Sequence, residues 1–276
     1  MAVLDLHNTG GYLHFDRDQC VREGKARREL YQSATPFPHI VMDDFLDANV
    51  LRELIAEFPD RDGREYFDRP QERFKYQFDP NSVASGRVRN LLAELNGEPL
   101  LAFLSEMTGI SNLISDPYYA GGGLHETLPG GHLSVHADFN VHGGMKVERR
   151  LNLLVYLNDD WEESYGGQLE LWDKKMRKAA VSVLPVMGRA VVFSTTLQSF
   201  HGQPEPLACP ADRSRRSIAT YYYTAFPSEQ TAPKRSTTFQ TRPHSNDKAD
   251  WRVRFDHLVE DWVPPRLQRY VRRIGR

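Results

Sequence analysis

The sequence predicts a mainly β protein with flanking helices, whose core is a double-stranded β-helix of the jelly-roll kind. From residue 113 onward, β-branched and aromatic runs of strand length follow one another, separated by Gly, Pro, Asn and Asp. No helical pattern interrupts these runs, and short strands at close spacing favour an antiparallel barrel or sandwich. Before residue 113, apolar residues recur at i, i+3 and i+4, which indicates helices packed around the barrel.

The N-terminal 112 residues are expected to form this helical layer. Asp47 is a candidate N-cap, because a carboxylate there can accept hydrogen bonds from the first turn of the helix that follows. Residues 59–82 are charged and aromatic without a clear period, so we expect loop with short pieces of structure. The other expected elements are a polar surface helix at 17–33, a strand within 35–46, and helices at about 48–58, 85–95 and 98–107.

The barrel is expected to occupy about residues 113–226, and a mostly helical tail, 234–276, is expected to dock on it. The predicted strands of the barrel are LNLLVYLN, GGQLELW, AAVSVLP, GRAVVFS and RSIATYYYT. No internal repeat divides the chain, so we interpret residues 1–276 as a single domain.

The composition is that of a soluble globular protein, with 40% hydrophobic and 26% charged residues. A formal net charge of -2 gives no reason to expect nucleic acid or an anionic membrane as a partner. No signal-peptide pattern and no run of 18 apolar residues is visible, so we expect a cytoplasmic protein without a membrane span. Cys20 and Cys209 match no zinc or redox spacing and are expected to be reduced thiols. Nothing in the sequence specifies an oligomeric state.

The pattern that points to chemistry is His136-Ala137-Asp138, followed later by His201. In an extended strand, residues i and i+2 point to the same face, so an imidazole and a carboxylate at this spacing can converge on one metal ion. His201 would complete a set of two histidines and one carboxylate. That set suits non-haem Fe(II) that keeps several coordination positions open.

Several short motifs accompany these residues in a fixed order. They are HxD at 136–138, YLN-x2-W at 156–161, GGxLxLW at 166–172, PxxGRxVVF at 185–193, His-Gly at 201–202 and RxSI at 215–218. In this order they resemble the Fe(II)/2-oxoglutarate-dependent oxygenase superfamily, and within it the prolyl-4-hydroxylase-like branch. The resemblance extends over about residues 36–226 and implies a cupin-like barrel.

The resemblance implies that His136, Asp138 and His201 hold Fe(II), with 2-oxoglutarate as co-substrate, dioxygen as oxidant and ascorbate as the expected reductant. The implied activity is hydroxylation of an unactivated C–H bond with release of succinate and CO2. A prolyl residue or a proline-like compound is the first candidate substrate. A small-molecule biosynthetic hydroxylase is the second candidate. Two other classes are a cupin-like metal protein that does not use 2-oxoglutarate and a non-catalytic binding barrel.

The distal carboxylate of 2-oxoglutarate requires a buried cation, because an unpaired carboxylate in an apolar barrel is costly. Arg215 is the first candidate, since RxSI matches the family pattern and places Ser217 on the same inward face. Arg216 is the second candidate and Arg213 the third. Val155 stands where some prolyl hydroxylases use a tyrosine, which leaves a second polar contact to that carboxylate unassigned.

The remaining candidate residues flank the metal motif. His125 and His142 flank the motif in Gly-rich loops, where they are expected to be solvated or else to touch substrate, and His132 is expected at the rim of the site or beside the ligands. The glycines of 120–131 are expected to form either a mobile lid or a turn cluster. The segment 236–243, which carries hydroxyls and an arginine, is a candidate to close over substrate.

Overall fold

The computed structural model describes residues 2–61, 65–226, 234–263 and 267–268. Most strands in these residues join one twelve-stranded antiparallel sheet that curls into a barrel, and helices cover one side of it. The helices are α1 (Arg17–Ser33), α2 (Ala48–Ile55), α3 (Gly86–Leu95), α4 (Glu98–Thr108) and α5 (Trp251–Trp262). The strands are β1 (Leu6–Thr9), β2 (Tyr12–Phe15), β3 (His39–Met42), β4 (Glu65–Arg69), β5 (Glu72–Phe78), β6 (Ile114–Ser115), β7 (Gly123–Ala137), β8 (Glu148–Tyr156), β9 (Leu169–Trp172), β10 (Ala179–Val183), β11 (Ala190–Ser194), β12 (His201–Gln203), β13 (Arg215–Thr224) and β14 (Thr238–Phe239).

The helical layer forms as the sequence predicts. Asp47 caps α2, and its Oδ1 accepts hydrogen bonds from the amides of Asn49 at 2.7 Å and Val50 at 3.2 Å. α2, α3 and α4 bury leucines, and α1 buries Cys20 and Tyr31, in one large core that also contains residues of the barrel strands. No helix of the described residues is both long and apolar enough to cross a membrane.

The barrel strands run in the order β10-β9-β12-β7-β13-β8-β11-β3. From Leu151 to Val155 the side chains of β8 alternate: Leu151, Leu153 and Val155 pack against the helices. Asn152 and Leu154 instead line a cavity inside the barrel. The prediction of a mainly β fold with a double-stranded β-helix core is therefore confirmed.

The longest strand, β7, was not predicted as one element. Its first half pairs with β13 and β5, and its second half with β12, β5 and β14, so it connects both halves of the barrel. Gly123 has a φ of 104°, and a Cβ there would lie 2.2 Å from the carbonyl oxygen of Phe78. Residues 123–131 are thus built into the sheet, and the expectation of a lid there is wrong.

The N-terminal layer contributes strands as well as helices. β3 extends the sheet beside β11, and the hairpin β4–β5 within 59–82, expected to be mainly loop, pairs with β7. In the predicted helical tail, the described residues include β14, which pairs with β7, and α5. The rest of that predicted tail, 264–266 and 269–276, lies outside the described residues.

Candidate active site

The three predicted metal ligands meet at the mouth of the barrel. His136 lies near the end of β7, Asp138 follows that strand, and His201 begins β12. The pairing of β7 with β12 places the two histidines opposite each other, with ring centroids 4.5 Å apart. Nε2 of His136 lies 3.6 Å from Asp138 Oδ1, and Nε2 of His201 lies 3.4 Å from Asp138 Oδ2. One ligand atom from each residue lies within 4.8 Å of the other two, which suits a single ion.

Both imidazoles have the orientation and tautomer that a metal requires. Nδ1 of His136 lies 2.9 Å from the carbonyl oxygen of Ser134, and Nδ1 of His201 lies 2.9 Å from that of Ser199. Because a carbonyl oxygen can only accept, each Nδ1 donates its proton and each Nε2 lone pair is directed to the shared position. Burial, reinforced by the neighbouring His136, lowers the pKa of His201 to about 4, so this imidazole is neutral near pH 7.

Asp138 is held by two donors that sequence reasoning did not identify. Its Oδ2 accepts a hydrogen bond from Asn152 Nδ2 at 2.8 Å and lies 3.1 Å from Arg149 Nη2. Burial opposes ionisation of the carboxyl group, but Arg149 and the two histidines hold the pKa of Asp138 well below its usual range. The carboxylate is therefore charged, as a metal ligand must be.

A cavity of about 220 Å³ runs from these ligands into the barrel, and Arg215 lines it. Arg215 pairs with Thr127 on β7, nine positions before His136, so it lies at the other end of the cavity. Its Nε donates to the carbonyl oxygen of Gly167 at 2.8 Å, and no carboxylate contacts it within the described residues. Gly167 has a φ of 80°, and a Cβ there would lie 3.0 Å from Arg215 Cδ, so glycine is required beside this arginine.

Two polar groups accompany Arg215. Ser217 lines the same cavity and is buried, as its spacing from Arg215 predicts. Tyr156 presents its ring to the guanidinium, with Arg215 Cζ 5.0 Å from the ring centroid. The Tyr156 hydroxyl is buried and has no hydrogen-bond partner among the described residues. Burial raises the pKa of Tyr156, with Arg215 opposing that rise, so the hydroxyl keeps the proton it can donate.

The two alternative arginines point away from the cavity. Arg216 Nε donates to Glu126 at 3.1 Å, and its Cζ lies 4.4 Å from the ring centroid of Phe58. Arg213 donates to the carbonyl oxygens of Asp159 and Asp160. The geometry therefore favours Arg215 as the cation that faces the cavity.

The pairing of Arg216 leads to a prediction about acid stability. Glu126, which is 1% exposed, also accepts hydrogen bonds from Arg61 at 2.8 Å and Ser214 at 2.6 Å. Burial opposes its ionisation, yet the Arg61 and Ser214 hydrogen bonds hold the pKa of Glu126 below its usual value. A lowered folded-state pKa stabilises the protein above about pH 4.3, the unfolded value, and this contribution disappears as the pH falls through the folded value.

We expect Glu126→Gln to lower the free energy of unfolding at pH 7 by about 2 kcal/mol, because two arginines lose their shared counter-charge. Its stability should also depend less on pH below about 4.3. Urea unfolding between pH 3 and 7 measures both effects. Glu53→Gln is the control, since the exposed pair Glu53–Arg87 should contribute under about 1 kcal/mol. Equal effects of the two substitutions would contradict the prediction.

Several lining residues come from the unpredicted strands β5 and β7. Lys75 and Glu72 of β5 form an ion pair at 2.9 Å, and Arg69 binds the other oxygen of Glu72 at 2.7 Å. His125 also lines the cavity, and its buried Nε2 has no hydrogen-bond partner in the described structure. Burial, together with Lys75, holds the pKa of His125 well below its usual range, so the ring is neutral.

The expectation of solvated loop histidines is wrong for both His125 and His142. His125 lies in β7, while His142 is 4% exposed and its Nε2 lies 3.4 Å from Asp116 Oδ1. His132 is at the surface, as expected for a rim residue, and hydrogen-bonds the carbonyl oxygen of Pro70. The alternation of β7 was hidden in the sequence by Pro129 and the two glycines after it.

Aromatic side chains surround the metal end of the cavity. Phe239 of β14 packs its ring 5.5 Å from that of His136, and Tyr221, Phe139 and Phe67 complete the lining there. The segment predicted to close over substrate thus reaches the site through β14. Arg242 in the same segment turns outward to Asp247 and Glu205.

The barrel is similar in sequence to a known protein family. Residues 122–223 match the sequence model described as the 2OG-Fe(II) oxygenase superfamily. Over these residues the barrel of this chain is similar to a 2OG-Fe(II) oxygenase domain. The matched span contains all three candidate metal ligands and Arg215. No curated protein sequence matches the chain significantly.

Solved structures are similar to this chain at low sequence identity. A Trichoplax adhaerens prolyl hydroxylase, solved with a hypoxia inducible factor peptide fragment, has 16% identity and a TM-score of 0.52, covering 75% of this chain and 91% of its own. A Pseudomonas putida prolyl-4-hydroxylase has 22% identity and a TM-score of 0.49, covering 74% and 99%. HygX from Streptomyces hygroscopicus, with nickel, 2-oxoglutarate and hygromycin B bound, has 12% identity and a TM-score of 0.49, covering 73% and 88%.

Proposed function

We propose that this oxygenase binds Fe(II) through His136, Asp138 and His201 and binds 2-oxoglutarate between that metal and Arg215. The observation that carries the proposal is the convergence of the three ligands on one side of a cavity whose other end holds a buried arginine without a carboxylate partner in the described residues. Two neutral imidazoles and one carboxylate form a donor set suited to Fe(II) with open positions. The bound iron and co-substrate would supply oxidative decarboxylation to succinate and CO2, coupled to hydroxylation of a substrate C–H bond.

The residues of the chain bind, orient and shield the reactants. Arg215 would form charge-assisted hydrogen bonds with the distal carboxylate, and the hydroxyls of Ser217 and Tyr156 would donate to the same group. Gly167 fixes the guanidinium by accepting from its Nε, which leaves the Nη groups directed at the cavity. Arg215, Ser217 and Tyr156 are buried, so each of these contacts is stronger than it would be in solvent.

The proposed contact between Tyr156 and the co-substrate can be tested by removing the hydroxyl. Co-substrate binding should weaken, whereas the stability of the fold should not. We expect Tyr156→Phe to raise the KM for 2-oxoglutarate about 5-fold, because one hydrogen bond of about 1 kcal/mol is lost. The free energy of unfolding should stay equal or increase, since a buried hydroxyl without a partner is removed. Tyr223→Phe is the matched control: its hydroxyl is also buried without a partner among the described residues, but its ring packs against His142, whereas that of Tyr156 packs against Arg215. An unchanged KM in Tyr156→Phe would remove this residue from the proposed site.

We propose a prolyl residue or a proline-like compound as the first candidate substrate. The prolyl-4-hydroxylase-like order of motifs supports this choice, and so does the aromatic lining of the mouth by Phe67, Phe139, Phe239 and Tyr221. Such a lining favours a compact apolar ring over a highly charged group. Incubation with prolyl peptides and with free cyclic amino acids, followed by mass spectrometry for a gain of one oxygen, distinguishes peptidyl from small-molecule substrates.

The proposed function is tested by turnover and by spectroscopy. Purified protein with Fe(II), ascorbate and 2-oxoglutarate should form succinate, and anaerobic addition of 2-oxoglutarate to the Fe(II) protein should produce a weak visible charge-transfer band. Metal binding without that band would favour a cupin-like metal protein that does not use 2-oxoglutarate. We further propose that the enzyme works in the cytoplasm, where iron stays ferrous, and the two unpaired buried cysteines are consistent with that compartment.

A further inference from the structure

The two carboxylate oxygens of Asp138 have different hydrogen-bond partners. Oδ2 accepts a hydrogen bond from Asn152 Nδ2 at 2.8 Å, forms an ion pair with Arg149 Nη2 at 3.1 Å and lies 3.4 Å from His201 Nε2. Oδ1 has no hydrogen-bond donor among the described residues and faces His136 Nε2 at 3.6 Å. The oxygen left for a metal ion is therefore Oδ1.

Arg149 is fixed on every side in this arrangement. Its Nε and Nη2 donate to Asn152 Oδ1 at 3.0 and 2.7 Å, and Asn152 Nδ2 donates to Asp138 Oδ2, so Asn152 links Arg149 to the carboxylate with which Arg149 also forms an ion pair. Its Cζ lies 3.5 Å from the ring centroid of Tyr221 and 4.5 Å from that of Phe139. The side chain is 1% exposed, and a cation buried this fully is unusual unless its position has a use.

A role for Arg149 follows from the number of coordination positions that the metal ion has for other ligands. A carboxylate that binds through both oxygens takes two of six positions, which with two histidines leaves two open. A chelating co-substrate would fill both and leave none for dioxygen. A carboxylate that binds through one oxygen leaves three.

We propose that Arg149 is a positioning residue that, together with Asn152, occupies Oδ2 of Asp138, so that the metal is bound through Oδ1 alone and a third coordination position stays open for dioxygen. The inference rests on the proposed function. It adds a role for two residues that contact neither the metal nor the co-substrate. Partners of metal ligands commonly orient them in this way, and their loss typically costs about 10–100-fold in affinity or activity.

Substitution of Arg149 can distinguish a change in how Asp138 binds the metal from a general loss of structure at the site. In Arg149→Met, both oxygens of Asp138 can reach the metal, and the cation that repels a divalent ion is gone. We expect Fe(II) affinity to stay equal or to tighten. The affinity of the anaerobic Fe(II)–2-oxoglutarate protein for nitric oxide, used as a probe for dioxygen, should fall about 10-fold or more. A purely structural role would weaken both affinities together.

Anaerobic calorimetry with Fe(II) and electron paramagnetic resonance titration with nitric oxide measure the two affinities in the full chain. Asn152→Ala should change the Fe(II) affinity and the nitric oxide affinity in the same directions as Arg149→Met, but by a smaller factor. It replaces Arg149→Met as the test if that variant does not fold. Arg149→Lys, which keeps a cation within reach of Oδ2, should recover part of the nitric oxide affinity. His132→Ala, at a surface histidine on the same strand as His136 that does not contact Asp138, is the control.

Unchanged nitric oxide affinity in both Arg149→Met and Asn152→Ala would overturn the inference. Loss of Fe(II) binding in a folded Arg149→Met protein would overturn it equally, because retention of the metal is predicted. If the wild-type protein itself binds no Fe(II), the proposed function fails rather than this role of Arg149.

Discussion

Replacing His136 by alanine should abolish Fe(II) binding and lower succinate formation at least about a thousand-fold, because a two-ligand site cannot hold the ion against water. Asp138→Ala should have the same effect on both measurements. It should also lower the free energy of unfolding of the metal-free protein by about 3 kcal/mol, since Arg149 is left buried without its counter-charge. His136→Ala should not show this additional loss.

His132→Ala is the matched control for these variants. This histidine lies on the same strand, β7, but at the surface, where it hydrogen-bonds a backbone carbonyl. Anaerobic Fe(II) titration, succinate assay and urea unfolding should find it close to wild type. Succinate formation that survives both His136→Ala and Asp138→Ala would reject the assignment of the metal site.

Removing Arg215 should raise the KM for 2-oxoglutarate about 100-fold while Fe(II) affinity stays within about 2-fold, because a charge-assisted bidentate contact contributes roughly 1.5–3 kcal/mol. Arg215→Lys should recover part of the loss, since an ammonium keeps the charge but not the planar pair of donors. The measurement is succinate formation against co-substrate concentration, with the charge-transfer band as an independent measure of binding.

Arg216→Ala tests the choice between neighbouring arginines. Arg216 points out of the barrel to Glu126, so its removal should change the KM less than about 2-fold and should instead lower stability. If Arg216→Ala raised the KM and Arg215→Ala did not, the assignment of the co-substrate cation would be reversed.

The residues that sequence reasoning brought together lie on regular strands. His136 and Asp138 share a face because alternation is the strongest geometric rule of a strand, and the same rule places Arg215 inward and Arg216 outward. The strands β8, β9, β10, β11 and β13 were predicted because each carries an apolar run with clear turn residues at its ends. Prediction succeeded where a local pattern determines the local geometry.

Arg149 was missed because a β-bulge interrupts the alternation. Tyr221 and Tyr222 pair with Asn152 and Leu151, but Tyr223 pairs with Arg149, so Arg150 is the extra residue. Arg149 therefore reaches the same side as Asn152 despite an odd spacing. No sequence signal marks that position.

The hairpin β4–β5 was missed for a different reason. Its charged residues read as loop, yet Glu72 is buried and takes both Arg69 and Lys75 as partners inside the cavity. Burial raises and the two cations lower the pKa of Glu72, with a net lowering. Charges that neutralise one another in space are invisible to a pattern based on hydropathy.

The position of β7 has a consequence for how the enzyme can be re-engineered. One continuous backbone holds Thr127 beside Arg215 and His136 in the candidate metal site, so the length of that backbone sets the spacing between the two. A single-residue deletion between Gly130 and Ser134 would reverse the facing of every later side chain on the strand. Directed evolution toward longer or shorter keto acids should therefore find its solutions in substitutions around β7, and very rarely in insertions or deletions within it.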